Sequence, residues 1–281
     1  MGDDCIFDED KVTPHALQRI ASHVRYDIVA LSGKARIAHV GSSLSCVDIL
    51  VAAYFGGLAL SPESCTLGSD RLLLGKGHAA VALYATLARR GYCAYRDLES
   101  HLAPGGPLQE HPGPACLPGT VAASGSLGHA LPMGVGMALA SRQLGTPYRV
   151  CVVLGDGECN EGTVWEAVML AVARQCGNLV AIVDGNGWQG TGRTAEILAA
   201  EPLAEKFRAF GWEALDVDGH DVWHLRELLR RGPTHPDRPL VLIARTVKGK
   251  GVSFMEDDNN WHYRIPTPEE TALAGKELLG Q

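Results

Sequence analysis

The chain has 281 residues and a formal net charge of −7, a balance that argues against nucleic acid as its main partner. Its length suits one large α/β domain or two small ones, and no apolar run is long enough to cross a membrane. The acidic start lacks the order of a signal peptide, and the 8 cysteines show no CxxC spacing, so we expect free thiols and a cytoplasmic protein.

The N-terminal part of the chain is predicted to be helical, with turns that carry glycine and histidine. Residues 1–12 read as a loose acidic arm, and a helix begins at Thr13, where a Thr-Pro pair gives a plausible N-cap. We expect this helix to end or kink at Gly33. A glycine-serine turn over 38–45 then leads into a second helix over 47–55.

The next part of the chain repeats the order of strand, glycine turn, histidine and helix. A short strand over 70–74 is followed by a Gly-Lys-Gly-His turn over 75–78 and by another helix. Residues 100–125 are rich in proline and glycine, which predicts a surface loop. Long loops inside compact domains are usually functional or mobile, and we expect the same of this one. A helix over 130–144 follows it.

A strand-helix-strand unit organises the rest of the chain. Apolar runs predict buried parallel strands over 149–154 and 179–183, and helical spacing predicts a helix over 161–176 between them. Such units place ligands at the carboxyl ends of their strands. Asp156 follows the first strand and Asn186 follows the second, so we expect these two side chains to converge.

The C-terminal part continues the alternation of helices and strands. We predict a helix, a strand, a helix and a strand over 204–210, 213–217, 222–231 and 240–246, and a tail over 248–263 that is mostly loop. No repeat or linker interrupts the pattern, so we expect residues 13–281 to form one domain. Its predicted fold class is α/β, with a doubly wound, mostly parallel sheet flanked by helices.

The pair of Asp156 and Asn186 has a chemical use. Carboxylate and amide oxygens are hard ligands that suit an octahedral Mg²⁺, which takes its other ligands from phosphate, a backbone carbonyl and water. Glycines on both sides of Asp156 let a phosphate approach the backbone. In an alternative interpretation the two polar residues only cap turns.

Residues 185–190 support a rival interpretation, since Gly-Asn-Gly-Trp-Gln-Gly matches the GxGxxG fingerprint of dinucleotide-binding proteins. That fingerprint needs a helix that opens at once, and residues 192–194 do not supply one convincingly. An NAD-binding Rossmann protein is therefore a second hypothesis with weaker support.

The motifs together resemble the thiamine diphosphate-binding half of a transketolase, in the split form in which that half is a separate polypeptide. GDGECNEG followed by a helix and DGN is the most specific of them. The resemblance implies the thiamine diphosphate-binding fold, with residues 13–281 as the domain that binds diphosphate and metal. It is carried by residues 39–50, 71–84, 111–119, 124–140, 155–167, 184–186 and 248–262.

The resemblance also implies roles for individual residues. Asp156, Asn186 and the carbonyl of Trp188 would hold Mg²⁺ or another divalent cation such as Ca²⁺. His39, His111 and His262 would line the substrate channel as catalytic residues, and Glu161 would belong to a carboxylate relay between two cofactor sites. Contacts to thiamine diphosphate would come from His78, Gly125, Leu127, Gly155, Asp156, Gly157, Glu158 and Asn186.

Several polar residues receive a plainer interpretation. Lys76, Lys248 and Lys250 could touch phosphate, but a lysine in a glycine loop is more often solvated, and we expect solvated side chains. We assign no role to His101. Two positions depart from the family pattern: His129 stands where the family usually has glutamine, and Tyr263 follows Trp261-His262 where glycine is usual. A bulky Tyr263 could narrow the channel and change the substrate.

The resemblance implies a transketolase-type transferase that moves a two-carbon ketol unit from a ketose phosphate to an aldose or another acceptor. In this family a second domain binds the pyrimidine ring of the cofactor, and the resemblance implies that the present chain corresponds to the diphosphate-binding half alone. We therefore expect an inactive chain that needs a separate C-terminal transketolase subunit, two of each forming a heterotetramer. Alternatives are transfer to a lipoyl group or carrier protein, half of a dehydrogenase-type E1 component, a deoxyxylulose phosphate synthase, or a non-catalytic binding subunit.

Overall fold

The structure is a computed structural model that describes residues 12–62, 68–100, 103 and 106–280. Most of the predicted acidic arm and His101 therefore lie outside the described residues. In this part of the chain, no helix combines the length and the apolar character that crossing a membrane requires.

Five parallel strands form one sheet in the order β1-β2-β3-β5-β4. Their registers pair Leu74 with Val153, Gly155 with Asp184, and Gly185 with Arg245. The carboxyl ends of the central strands therefore lie side by side. The strands are β1 Arg71–Leu74, β2 Val150–Gly155, β3 Leu179–Gly185, β4 Glu213–Asp218 and β5 Leu240–Arg245.

Helices cover both faces of the sheet, as predicted, and each face has its own core. Successive side chains of a strand point to opposite faces; accordingly Val153 lies in one core and Val152 in the other. Helices α1, α3, α4 and α9 pack on the first face, whereas α5, α6 and α8 pack on the second. The helices are α1 Pro14–Ala35, α2 Val40–Ser45, α3 Val47–Ala52, α4 Ala80–Arg90, α5 Ala130–Gln143, α6 Gly162–Ala173, α7 Thr194–Leu198, α8 Leu203–Ala209, α9 Val222–Arg231 and α10 Pro268–Leu279.

Two predictions that treated a glycine as the end of a helix or as part of a turn were wrong. Helix α1 continues through Gly33 to Ala35, because this glycine makes room for α10: a Cβ there would lie 3.0 Å from Thr271 Oγ1. The predicted glycine-serine turn contains helix α2, in which Gly41 admits the stem of Lys248, whose Cγ would lie 3.1 Å from a Cβ. Both glycines serve close packing rather than chain reversal.

Helix α10 was missed. Thr267 caps it in a capping box with Glu270: the Thr267 hydroxyl accepts from the Glu270 amide, and the Glu270 carboxylate accepts from the Thr267 amide. The Thr-Pro-Glu-Glu sequence was the available signal. Thr267, five residues after His262, and Glu270 thereby fix the start of α10.

Candidate active site

Asp156 and Asn186 follow the adjacent strands β2 and β3 at the carboxyl edge of the sheet. Asp156 is buried, and its carboxylate accepts hydrogen bonds from the Gly157 amide at 2.9 Å, the Gly187 amide at 2.8 Å and the Thr194 hydroxyl at 3.1 Å. The contact to Gly187 joins the turn after β2 to the turn after β3 and brings Asn186 alongside. Burial, followed by the nearby charge of Asp184, raises the pKa of Asp156.

A buried ion pair lies beneath these two side chains. Lys76, in the turn after β1, contacts Asp184 Oδ2 near the end of β3 through its Nζ. The same Nζ donates to the Ser42 carbonyl at 2.9 Å. The hydroxyl groups of Ser45 and Thr246 also donate to Asp184. Both charged side chains are at most 2 % exposed. The expectation that Lys76 is solvated was therefore wrong, because the buried carboxylate of Asp184, two strands away in the sheet, holds it.

Lys248 was also expected to be solvated and is instead fully buried. Its Nζ donates to Asn259 Oδ1 at 2.6 Å and lies 3.1 Å from His262 Nδ1. Burial and then the charge of Lys76 lower the pKa of Lys248 to about 8. Lys250 is partly exposed and pairs with Glu256 at 3.4 Å. Of the three lysines predicted to be solvated, it is the most exposed.

Three of the predicted histidines form one cluster. The ring centroids of His39 and His262 are 4.7 Å apart, those of His39 and His78 are 5.4 Å apart, and those of His78 and His262 are 5.8 Å apart. His39 has a positive φ of 65°. Its amide donates to the His262 carbonyl at 2.9 Å, which offsets the strain of that conformation.

The surroundings of the clustered histidines disfavour their charged form. Burial, together with the positive charge of neighbouring groups, lowers the pKa of His78 to about 2 and that of His262 to about 3. Burial also lowers the pKa of His39, although Glu110 opposes this from 3.7 Å. A neutral imidazole carries one donor and one acceptor nitrogen, so the cluster can exchange protons with hydroxyl and carbonyl oxygens.

His111 lies on the long loop and reaches the segment that carries Gly125. A Cβ at Gly125 would lie 2.7 Å from His111 Cδ2, and its φ of +125° is unfavourable for other residues. Gly77 meets the same segment, since a Cβ there would lie 2.5 Å from the Gly125 amide nitrogen. The loop thus packs against the turn of His78, while Leu127 is 37 % exposed.

The two predicted glutamates lie in different environments. Glu158 is buried, and its carboxylate accepts from the Gly128 amide at 3.0 Å and the Gly155 amide at 3.1 Å. It therefore ties the Gly-Ser-Leu-Gly segment to the turn after β2, and burial raises its pKa. Glu161 is exposed at the start of α6 and lies outside the histidine cluster.

The turn after Asn186 is held in shape by its own contacts. Asn186 Oδ1 accepts from the Trp188 amide at 3.0 Å. The Trp188 ring stacks under Arg193, with 3.7 Å from the guanidinium carbon to the ring centroid, and its indole N–H donates to Asp257 at 2.8 Å. Arg193 pairs with the same carboxylate at 2.6 Å. The backbone around Trp188, the predicted source of a metal-binding carbonyl, is thereby fixed.

Tyr263 and Gly190 meet at the mouth of the cluster. The Tyr263 ring is 63 % exposed, with centroids 4.8 Å from His262 and 6.2 Å from His39. A Cβ at Gly190 would lie 2.9 Å from the Tyr263 hydroxyl oxygen. Tyr263 therefore occupies space that a side chain at Gly190 would fill. The other departure, His129, is exposed and contacts the Leu127 carbonyl at 3.2 Å.

The residues fit a phosphate-bearing cofactor and a cation. Within the described part of the chain, three buried polar atoms around the carboxyl edge have no hydrogen-bond partner: His39 Nδ1, Ser124 Oγ and Gln189 Nε2. A Cβ at Gly157 would lie 2.8 Å from Gln189 Cγ, so the unpartnered amide lies beside the glycine that leaves room for a phosphate. Among the described residues, no group of three His, Cys, Asp or Glu side chains could hold a metal.

Comparison with known proteins gives the same family. Residues 16–280 match the family model described as "Transketolase, thiamine diphosphate binding domain". The chain is 36% identical over 255 residues to one of the subunits of apulose-4-phosphate transketolase from Phocaeicola vulgatus, covering 90% of each protein. It is 37% identical over 263 residues to 6-deoxy-6-sulfo-D-fructose transketolase subunit SqwG of Clostridium sp., covering 93% of this chain and 96% of that protein.

Solved structures agree with this result. The transketolase of Campylobacter jejuni superposes with a TM-score of 0.88 at 27% sequence identity, and the match covers 95% of this chain but 43% of that one. The chain therefore spans less than half the length of the solved transketolase. The predicted fold is confirmed, and the chain belongs to the family of transketolase thiamine diphosphate-binding domains.

Proposed function

We propose that this chain is the diphosphate-binding half of a two-component transketolase. The observation that carries the proposal is that Asp156 and Asn186 follow adjacent strand ends, at the same edge of the sheet as the turn after β1 that brings His78 into the histidine cluster. An acidic metal-binding edge beside a proton-transfer cluster suits a cofactor with a phosphate tail and a reactive ring.

Binding of the cofactor would use side chains and backbone groups at the carboxyl edge of the sheet. Asp156, Asn186 and the Trp188 carbonyl would hold Mg²⁺ or a similar cation, which accepts such oxygen ligands. Gln189 Nε2 and the backbone at Gly157 would donate to diphosphate oxygens. Lys76 lies beneath this site and Lys248 lies beside it. Their positive charge would offset the negative charge of the diphosphate.

Chemistry at the reactive end would depend on the histidines. When bound, thiamine diphosphate supplies a thiazolium carbon that carries the two-carbon unit. His39 and His262 would take protons from substrate hydroxyl groups and return them to carbonyl oxygens. His111, on the long loop, would approach from the side of Gly125. Tyr263 would cover one side of the cluster and limit the acceptors that reach it.

Several features support a separate partner subunit. Both relatives named above are called subunits, and the chain spans only part of full-length transketolases, including 42% of human transketolase. Leu127 exposes 37 % of its surface, and Met169 and Leu170, on the helix that begins at the exposed Glu161, expose 49 and 44 %. Apolar exposure of this kind marks an interaction surface. A heterotetramer with two copies of each subunit would bury it and place Glu161 between two cofactor sites.

The donor is proposed to be a ketose with an anionic group at its far end. The names of the two relatives specify apulose-4-phosphate and 6-deoxy-6-sulfo-D-fructose, and both substrates carry such a group. Tyr263 supports a substrate other than the ordinary xylulose 5-phosphate and ribose 5-phosphate pair, because it narrows the approach to His39 and His262.

Reconstitution tests the proposal. The chain should be co-expressed with the product of a neighbouring reading frame that encodes a pyrimidine-binding domain and supplied with Mg²⁺ and thiamine diphosphate. Ketol transfer should require both subunits, and phosphorylated and sulfonated ketoses should be compared as donors. Ketol transfer by the chain alone would contradict the two-component assignment, and a cofactor-loaded pair that transfers no ketol unit would contradict the activity.

A further inference from the structure

Lys248 reaches the site on a short segment that follows β5. Thr246 donates to Asp184 at the start of this segment, and Lys248 Nζ contacts His262 and Asn259 at its end. Val247, between them, sets the direction in which Lys248 leaves the sheet. A displaced Val247 backbone would therefore move the ammonium group relative to His262.

The Val247 amide is held by a histidine outside the cluster. It donates to His220 Nε2 at 2.8 Å. Because a backbone N–H can only donate, this nitrogen carries the lone pair, and the proton of the neutral ring lies on Nδ1. Nδ1 is 2.8 Å from Asp48 Oδ2 and donates to it. The two contacts fix one tautomer and one ring orientation.

Asp48 is itself held firmly. It lies in α3, is 4 % exposed, and pairs with Arg25 of α1. His220 comes from the turn between β4 and α9. A chain of contacts therefore runs from the Val247 amide through His220 and Asp48 to Arg25, and it draws on three elements of the scaffold.

We propose that His220 is a positioning residue, which holds Val247 through the Asp48 contact and thereby places Lys248 for the diphosphate and for His262. The inference rests on the proposed function, since it assumes that Lys248 faces the cofactor. Groups that orient the residues of a site in this way typically change affinity or activity by about 10–100-fold when removed.

The experiment compares substitutions at His220 with a matched control. His220→Phe keeps a ring and removes both hydrogen bonds, whereas His220→Gln can accept from Val247 and donate to Asp48 with one amide. His224→Phe is the control, because His224 is exposed on the neighbouring helix α9. Hydrogen exchange of the segment over 246–251 is measured in the full chain. The affinity for Mg²⁺ and thiamine diphosphate is measured by calorimetry in the reconstituted pair.

His220→Phe should increase exchange of the segment and weaken cofactor binding about tenfold, His220→Gln should restore most of both, and His224→Phe should change neither. A double-mutant cycle with Lys248→Met separates positioning from general destabilisation. In the Lys248→Met background, His220→Phe should weaken binding less than about twofold. Unchanged exchange, or equal losses in both backgrounds, would overturn the inference. A wild-type pair that binds no cofactor would instead contradict the proposed function, and the inference with it.

Discussion

Replacing Lys76 with methionine would test the buried ion pair under the site. The substitution keeps most of the side-chain volume and leaves Asp184 without its cation, while the hydroxyl groups of Ser45 and Thr246 still donate to it. Removing one partner of a buried pair costs about 3–5 kcal/mol, because the remaining charge stays in the interior. We expect a loss of that size in the free energy of unfolding at pH 7, measured by urea denaturation.

The pH dependence of the free energy of unfolding gives a second test of this ion pair, and the pKa of Asp184 fixes the direction of the expected change. Burial alone would raise the pKa of Asp184, but the charge of Lys76 and hydrogen bonds from Lys76, Ser45 and Thr246 lower it below its ordinary value. In the wild type this carboxylate therefore adds stability above its unfolded pKa of about 4, and that stability is lost as the pH falls through the folded pKa. In Lys76→Met burial dominates, so the difference in stability should shrink as the pH is lowered from about 7 to about 5.

Lys34→Met is the matched control. Lys34 pairs with Glu99 at 3.0 Å, but both side chains are at least 60% exposed, and exposed pairs contribute less than about 1 kcal/mol. A loss below about 1 kcal/mol in Lys76→Met, or a loss equal to that of the control, would refute the assigned role of the ion pair.

Three further predictions concern the cofactor and the substrate. Gln189→Leu should weaken the binding of thiamine diphosphate by about 1.5–3 kcal/mol, the value of a hydrogen bond to a charged group; calorimetry on the reconstituted pair checks this, and unchanged affinity would contradict it. The pKa of Lys248 is about 8, and a bound diphosphate should raise it, so binding at pH 8 should take up about half a proton; calorimetry in two buffers measures the uptake, which Lys248→Met should abolish. Tyr263→Gly should raise kcat/KM for bulky acceptors relative to kcat/KM for glycolaldehyde, whereas Tyr263→Phe should not. If Tyr263→Gly leaves the ratio of these two kcat/KM values unchanged, Tyr263 does not narrow the approach to the histidine cluster.

The sequence contained enough to predict the two strand ends that carry Asp156 and Asn186. Their signals are local: apolar β-branched runs end in glycine-flanked polar residues, and parallel strands bring those ends together. The histidines at positions 39, 78 and 262 were singled out through motif context. The structure brings them into one cluster, whereas Glu161 lies apart from it.

The buried cations could not be predicted from local pattern. A lysine in a glycine turn looks solvated, and only the folded structure shows that Lys76 meets Asp184, which lies two strands away in the sheet. The same holds for Lys248, which is buried because Gly41 leaves room for its stem. Charge pairing across strands is a long-range property, whereas glycine turns are short-range signals. Helix α10 is a different case, since its capping box was visible and was overlooked.

The central claim is that Asp156 and Asn186 together hold a cation through which thiamine diphosphate binds. Calorimetric titration of the reconstituted pair with thiamine diphosphate, with and without Mg²⁺, tests it most directly. The account predicts Mg²⁺-dependent binding in the wild type, and binding that is lost in Asp156→Ala and in Asn186→Ala although both variants remain folded. Wild-type affinity in both variants, or tight binding that does not depend on a divalent cation, would contradict the claim.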